Sequence, residues 1–146
     1  WLVHCAVSFA AAVGFGVITN IPPRTLMPAG GIGALGWLVY VIASEHLSGL
    51  IIPNLLAALT IGLIANVTAR RVHAPVNMLY IPSLVSLVPG GLIYESMQNF
   101  TLGHTLAAAT LLVQTLTIAA ALAVGFVIAE AVTSLWRTQR ERKSRL

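Results

Sequence analysis

The residues with the clearest chemical potential lie in one apolar stretch, residues 82–95, which reads PSLVSLVPGGLIYE. The Pro-Gly-Gly run at 89–91 disfavours a continuous helix, because proline has no backbone N–H and glycine lowers helix stability. Freed amides at a half-helix N-terminus can bind an anionic group, and freed carbonyls can bind a cation. The pattern therefore indicates a binding site at an interrupted membrane helix.

The candidate substrate-binding residues are the helix breakers and the polar side chains near them. They are Ser83, Ser86, Pro89, Gly90, Gly91, Tyr94 and Glu95. In this hypothesis the broken backbone and the two serines contact a substrate carboxylate, while the tyrosine and the glutamate gate the outer side or contact an ammonium group. The same residues also fit a purely structural kink, because serine hydroxyls can satisfy a broken helix backbone. The pattern alone leaves both interpretations open.

The composition identifies the elements that must position these residues. Of 146 residues, 58% are hydrophobic and only 8% are charged. A soluble domain carries about 25% charged residues, so this chain has too few to cover a water-facing surface. We therefore expect an all-α integral membrane protein embedded in the lipid bilayer.

Five stretches lack Asp, Glu, Lys and Arg, and a helix that crosses a bilayer needs roughly 20 apolar residues. They predict five transmembrane helices, the fourth interrupted by Pro and Gly. The predicted spans are about Trp1–Thr19, Leu26–Ala43, Leu50–Ala69, Val76–Tyr94 and Leu106–Leu135. We expect one transmembrane domain, residues 1–136, followed by a basic cytoplasmic tail, residues 137–146.

The basic residues predict the orientation of the chain in the membrane. Arg24 follows the first predicted span, Arg70 and Arg71 follow the third, and the other basic residues lie in the tail. With five spans, all of them fall on one face, which the positive-inside rule assigns to the cytoplasm. We therefore expect a multi-pass protein with its N-terminus outside and its C-terminus in the cytoplasm.

The second predicted span contains several glycines. Residues 31–36 match G-x-G-x-x-G, but a dinucleotide site needs a preceding strand, and this run lies inside a membrane span. Small residues let membrane helices approach closely. Gly30, Gly33 and Gly36 recur at a spacing of three, so we predict that they pack this helix against its neighbours.

The sequence gives little evidence for metal binding, catalysis or nucleic-acid binding. The four histidines are His4, His46, His73 and His104, and no pair has ligand spacing; with one cysteine, Cys5, we predict no metal site and no cofactor. The sequence has no nucleophile-and-base pair and no acidic residue at the centre of a predicted span, so it does not predict an enzyme. The basic tail indicates lipid headgroups or solvent and not nucleic acid. Asn66 matches only a glycosylation sequon, inside a predicted span.

Three motifs, in order along the chain, resemble the threonine/serine exporter superfamily. Residues 14–24, GFGVITNIPPR, look like its first-span ending, and residues 33–37, GALGW, look like its glycine-rich second span. Pro82 and the VPGG run at 88–91, followed by Tyr94, resemble its proline-rich fourth span. The sequence departs from the pattern at Ser86, where a further proline is expected, and at Glu95, where a basic or small residue is common.

The match is to the family's short C-terminal half, which in some bacteria is a separate protein paired with a larger partner. The resemblance implies a bacterial inner-membrane subunit that exports small amino acids or dicarboxylates, namely threonine, serine or succinate, driven by an ion gradient. Glu95 and Glu130 lie near span ends, so we expect the larger partner half to supply the coupling group. The alternative is a non-transporting membrane scaffold or assembly subunit.

Overall fold

Six helices make up the protein in the computed structural model, which describes residues 2–143 and the side chains of residues 2–136. They are α1 (Leu2–Ile18), α2 (Pro23–His46), α3 (Ile51–Arg71), α4 (Asn77–Leu84), α5 (Gly90–Thr101) and α6 (Thr105–Lys143). Within residues 2–143 there is no strand, so the all-α prediction is confirmed. The side chains of the predicted basic tail, 137–146, lie outside the described residues.

Three of these helices are long and apolar enough to cross a membrane. They are α2, α3 and the Thr105–Trp136 part of α6, while α1 is a shorter apolar helix. The fourth predicted span is divided between α4 and α5, each too short to cross a bilayer alone.

Left-handed residues end three of the helices. At the end of α1, Asn20 has φ 54°, and the amide of Ile21 donates to the carbonyl of Gly16 over 3.1 Å. This is the bond that closes a Schellman motif, so Asn20 ends α1. The N-cap of α2 is Pro22. His73 ends α3 and Gly103 ends α5 in the same left-handed conformation.

Helix α2 is central to the bundle, because it contacts α1, α3 and α4. On the far side of α3 lies α6, and α5 packs on α6, where the Ser96 hydroxyl donates to the Ala108 carbonyl over 2.8 Å. The Arg24 side chain donates to the carbonyl of His73 over 3.2 Å. The α1–α2 and α3–α4 connections therefore meet at one end of the bundle, which we call the basic end.

The three glycines predicted to pack α2 are all buried and all lie at helix contacts. A Cβ at Gly30 would lie 2.7 Å from side-chain atoms of Phe9 and Val13 on α1, and a Cβ at Gly36 would lie 2.5 Å from the side chain of Ile61 on α3. A Cβ at Gly33 would lie 3.0 Å from the Cβ of Ala12. The absence of side chains at these positions allows the backbones to approach closely.

A second set of glycines lies where α3 crosses α6. A Cβ at Gly125 would lie 2.7 Å from the backbone oxygen of Leu55, and Gly62 faces Ala129 on the same crossing. Residue numbers rise together along this contact, so α3 and α6 run parallel. Sequence analysis did not identify these two glycines.

Among residues 2–136, most threonines bond within their own helix. Thr60, Thr115 and Thr133, for example, each donate to the carbonyl four residues earlier, over 2.7 to 2.9 Å. These hydroxyls satisfy themselves locally and connect no helices. Hydrogen bonds between helices are made by a smaller set of residues, which includes Ser83.

We expect Ser83→Ala to reduce the free energy of unfolding by about 1 kcal/mol, the usual net value of one hydrogen bond. The Ser83 side chain is fully buried, and its hydroxyl donates to the Ala29 carbonyl over 2.9 Å, which connects α4 to α2. Thermal unfolding in detergent measures the change. The control is Ser44→Ala, because Ser44 is exposed and bonds within its own helix. Equal melting temperatures for the two variants would contradict the prediction.

Candidate functional site

The predicted interruption separates α4 from α5 at residues 85–89. The interruption lies earlier in the chain than the Pro-Gly-Gly run predicts. It includes Pro89, but Gly90 and Gly91 already belong to α5. Pro89 has φ −77° and ψ 51°, and the Gly90 amide donates to the Val88 carbonyl over 2.8 Å. These values describe an inverse γ-turn centred on Pro89.

The turn releases two backbone carbonyls from helical bonding. In a continuous helix, residues 89 and 90 would donate to the carbonyls of Val85 and Ser86. Pro89 has no N–H to donate, and Gly90 donates to Val88 instead. On the other side of the turn, the first amides of α5 point out of the helix end, as they do in any helix N-terminus.

An open cavity of about 320 Å³ lies beside the interruption. It is lined by His4, Val7, Ser8, Ala11, Trp37 and Ser86. The Ser8 hydroxyl lies 2.8 Å from that of Ser86 and 3.1 Å from the Gly33 carbonyl, so it connects α1 to α2 and to the break. The buried indole N–H of Trp37 has no hydrogen-bond partner among the described residues. The cavity is therefore mainly apolar, with a few polar groups, as small-molecule sites are.

A second cavity, of about 210 Å³, lies nearer the basic end on the same α1–α4 side. Its polar lining comes from Thr19 and Asn20 at the end of α1 and from Asn77 at the start of α4. Pro82 also lines it and lies one helical turn before Ser86. The two cavities thus follow one another along the side of the bundle formed by α1 and α4.

The candidate substrate-binding residues are distributed unevenly around these cavities. Ser86 lines the larger cavity, whereas Ser83 is fully buried against α2. Pro89 forms the turn, and Gly90 and Gly91 have open space where a Cβ would stand. Tyr94 and Glu95 are exposed on α5 and are not among the residues that line either cavity.

A separate group of polar atoms lies between α3, α4 and α6. The Asn66 amide nitrogen contacts the Tyr80 hydroxyl and lies 3.3 Å from the Glu130 carboxylate. The Tyr80 hydroxyl is 3.4 Å from that carboxylate and 3.4 Å from the carbonyl of Gly62. We call Gly62, Asn66, Tyr80 and Glu130 the polar cluster.

The polar cluster was not predicted from the sequence, although two of its side chains are unusual for their positions. Asn66 is a polar residue inside a predicted span, and Glu130 is an acid near the end of an apolar stretch of more than 30 residues. Polar residues in such positions usually face a helix bundle or a cavity. The contact between them depends on which faces of α3 and α6 meet, and no local pattern reports that.

The chain is similar to a known protein family. A family model described as "Threonine/Serine exporter, ThrE" matches residues 4–132. The matched range includes α1 to α5, both cavities, the helix interruption and the polar cluster. Searches of curated proteins and of solved structures find no match.

Proposed function

Because the chain belongs to the threonine/serine exporter family, we propose that it is a transporter subunit that moves small amino acids or dicarboxylates out of the cell. The family is one of transporters, so no catalytic reaction is assigned to the chain. The observation that carries the proposal is the interrupted α4–α5 segment beside a mainly apolar cavity whose wall includes the Ser8 and Ser86 hydroxyls. Interrupted membrane helices at a cavity are a common way for transporters to bind solutes.

The interruption offers acceptors for the ammonium group of an amino acid on one side and donors for its carboxylate on the other. The carbonyls of Val85 and Ser86 have lost their helical donors and can accept from an ammonium group, while the first-turn amides of α5 can donate to a carboxylate. Ser86 and Ser8 add hydroxyls on the cavity wall. In this assignment Ser83 positions α4, Pro89 to Gly91 shape the turn, and Tyr94 and Glu95 act at the outer approach to the site.

The same proposal includes a five-span topology. Helices α4 and α5 together cross the membrane as one interrupted span, and α1 and the three long helices provide the others. The basic end, with Arg24, Arg70 and Arg71, faces the cytoplasm by the positive-inside rule. In a bacterial inner membrane this orientation places the N-terminus outside.

A larger partner half completes the transport path in this proposal. The cavity beside Ser86 is open on one side, and α5 makes its helix contacts with α6 alone among the described elements. Many transporters enclose their site between two halves, so a second chain of the same family on the α1–α4 side would close it. The ion gradient drives export through this assembly.

The test is efflux of labelled threonine, serine and succinate from cells that carry the chain and its partner, the chain alone, or neither. We expect efflux of at least one of these solutes to require both chains.

A matched pair of variants is Ser86→Leu, which fills the cavity, and Thr117→Val, which changes a hydroxyl that bonds within α6. Normal efflux with Ser86→Leu at normal abundance would contradict the cavity assignment and favour a scaffold role.

A further inference from the structure

We propose that the second cavity is an entry subsite, where the side-chain amides of Asn20 and Asn77 bind the carboxylate of the solute before it reaches the larger cavity beside Ser86. The inference rests on the proposed export function and adds a separate binding step to it. The second cavity lies between the end of α1 and the start of α4, nearer the basic end, which faces the cytoplasm in the proposed topology. An exported solute would meet this cavity first.

Two amides on the wall of the second cavity keep their N–H groups available for a ligand. Asn20 and Asn77 line the cavity and are exposed, and neither side chain makes a hydrogen bond to another described residue. The other asparagines, Asn54, Asn66 and Asn99, each donate to the carbonyl four residues earlier in the chain, over 2.7 to 3.1 Å. The amides without an acceptor in the protein are therefore the two that meet at this cavity.

The rest of the wall suits the carbon skeleton of a small solute. Its apolar part is formed by Ile21, Met78, Ile81 and Pro82. The Thr19 hydroxyl also lines the cavity, but it donates within α1, to the Phe15 carbonyl over 2.9 Å. The volume, about 210 Å³, is below the roughly 300–1,000 Å³ of sites for drug-sized ligands. A solute of three or four carbons with a carboxylate at one end matches this size and this distribution of polar groups.

The charge around the second cavity favours an anion. Helices α1 and α4 and the connections beside them contain no acidic residue. The Arg24 side chain donates to the His73 carbonyl over 3.2 Å, so its positive charge lies where the two connections that flank the cavity meet. Glu130 contacts α4 through Tyr80, which is not among the residues that line the cavity. A carboxylate that arrives from the cytoplasm therefore meets amide donors and positive charge.

The first test measures binding without transport, on the full chain in vesicles. Met78 lines the second cavity, whereas Met97 is exposed on α5 and lines neither cavity. In a Cys5→Ala chain, which has no other cysteine, Met78→Cys or Met97→Cys supplies a single thiol for a maleimide. We expect threonine, serine or succinate to slow labelling at position 78 and not at position 97. Threoninamide, which lacks the carboxylate, should protect about tenfold less well, as expected for one lost contact to a charged group.

Two asparagine variants test the assignment in the same assay. Asn20 has φ 54°, and glycine adopts this left-handed conformation readily, so Asn20→Gly removes the amide and keeps the end of α1. Asn77 begins α4, where the helix dipole favours an acid, so Asn77→Asp should fold normally while it repels a carboxylate. Each variant should weaken protection at position 78 about tenfold. Gln98→Glu, which changes an exposed amide on α5 to an acid, is the matched control and should leave protection unchanged.

Three outcomes of the labelling test would overturn the proposal. The first is protection that survives in both asparagine variants or is equal for threonine and threoninamide. The second is slower labelling at position 78 in vesicles of anionic phospholipid than in neutral vesicles, without any solute, because that result assigns the cavity to a lipid headgroup. The third is loss of protection in Ser86→Leu, which changes only the larger cavity and would show that the two cavities are one site.

The second test uses export by vesicles that contain the chain and its partner. Asn77→Asp should raise the cytoplasmic solute concentration for half-maximal export about tenfold and leave the maximal rate near the wild-type value, because it weakens binding before the transport step. A lower maximal rate with unchanged half-saturation would overturn the entry role. If position 78 is protected but the wild type exports none of the three solutes, the export function fails and the entry role fails with it. If export occurs without protection, the entry subsite fails and the export function stands.

Discussion

Gly125→Ala is expected to lower the free energy of unfolding by about 1–3 kcal/mol, the usual cost of overpacking a close contact. The added Cβ would lie 2.7 Å from the backbone oxygen of Leu55 and 3.2 Å from the backbone nitrogen of Leu59. Backbone atoms cannot rotate away as a side chain can, so α3 and α6 must separate. We expect a lower melting temperature in detergent and less protein in the membrane.

Gly14→Ala is the control for this prediction. Gly14 also lies in a membrane helix, but nothing lies within 4 Å of a Cβ built there. Alanine favours helix over glycine, so this variant should be as stable as the wild type or more stable. Gly36→Ala should fall between the two, because its neighbour is the side chain of Ile61, which can move. If Gly125→Ala melts at the same temperature as Gly14→Ala, α3 and α6 can separate without cost and the prediction is wrong.

Replacing Pro89 and Gly90 by Ala and Leu is expected to abolish efflux while the protein remains in the membrane. Alanine at 89 restores an N–H that can donate to the Val85 carbonyl, and leucine at 90 favours helix over glycine. The interruption would then close, and the carbonyls proposed to hold the substrate would become bonded. A Cβ at Gly90 meets no atom within 4 Å, so packing should survive.

The measurement is efflux divided by the amount of protein in the membrane. Gly31→Ala is the matched control, because that glycine also has open space and lies in α2, away from the break. It should leave efflux unchanged. If the double replacement exports at the wild-type rate with normal abundance, the broken helix is a structural kink and takes no part in transport.

The helix interruption could be predicted because its causes are local. Pro89 lacks an N–H wherever it occurs, and the two glycines after it weaken any helix, so the pattern indicates a break without knowledge of the neighbours. The exact limits depend on more distant contacts. The hydrogen bond between Ser8 and Ser86 joins residues far apart in the sequence, and it holds the turn that begins before the proline.

The polar cluster could not be predicted, because it depends on the rotation of three helices about their axes. Asn66, Tyr80 and Glu130 are separated by 14 and 50 residues, and the contact between α3 and α6 depends on the glycines at 62 and 125. A glycine in a membrane helix does not indicate which neighbour it will meet. The position of Glu130 near the end of a predicted span was visible in the sequence, but its contact with Asn66 and Tyr80 was not.

Hydroxyl groups that bond within their own helix also bear on how the chain enters the bilayer. The hydroxyls of Thr60, Thr115 and Thr133 already have acceptors in their own helix, so these groups need no neighbouring helix when they enter lipid. Asn66 shares this property in part, since its amide donates to the Gly62 carbonyl of the same helix. Glu130 does not, because its hydrogen bonds come from α3 and α4. The last helix is therefore the segment whose insertion gains most from the earlier ones already being in place.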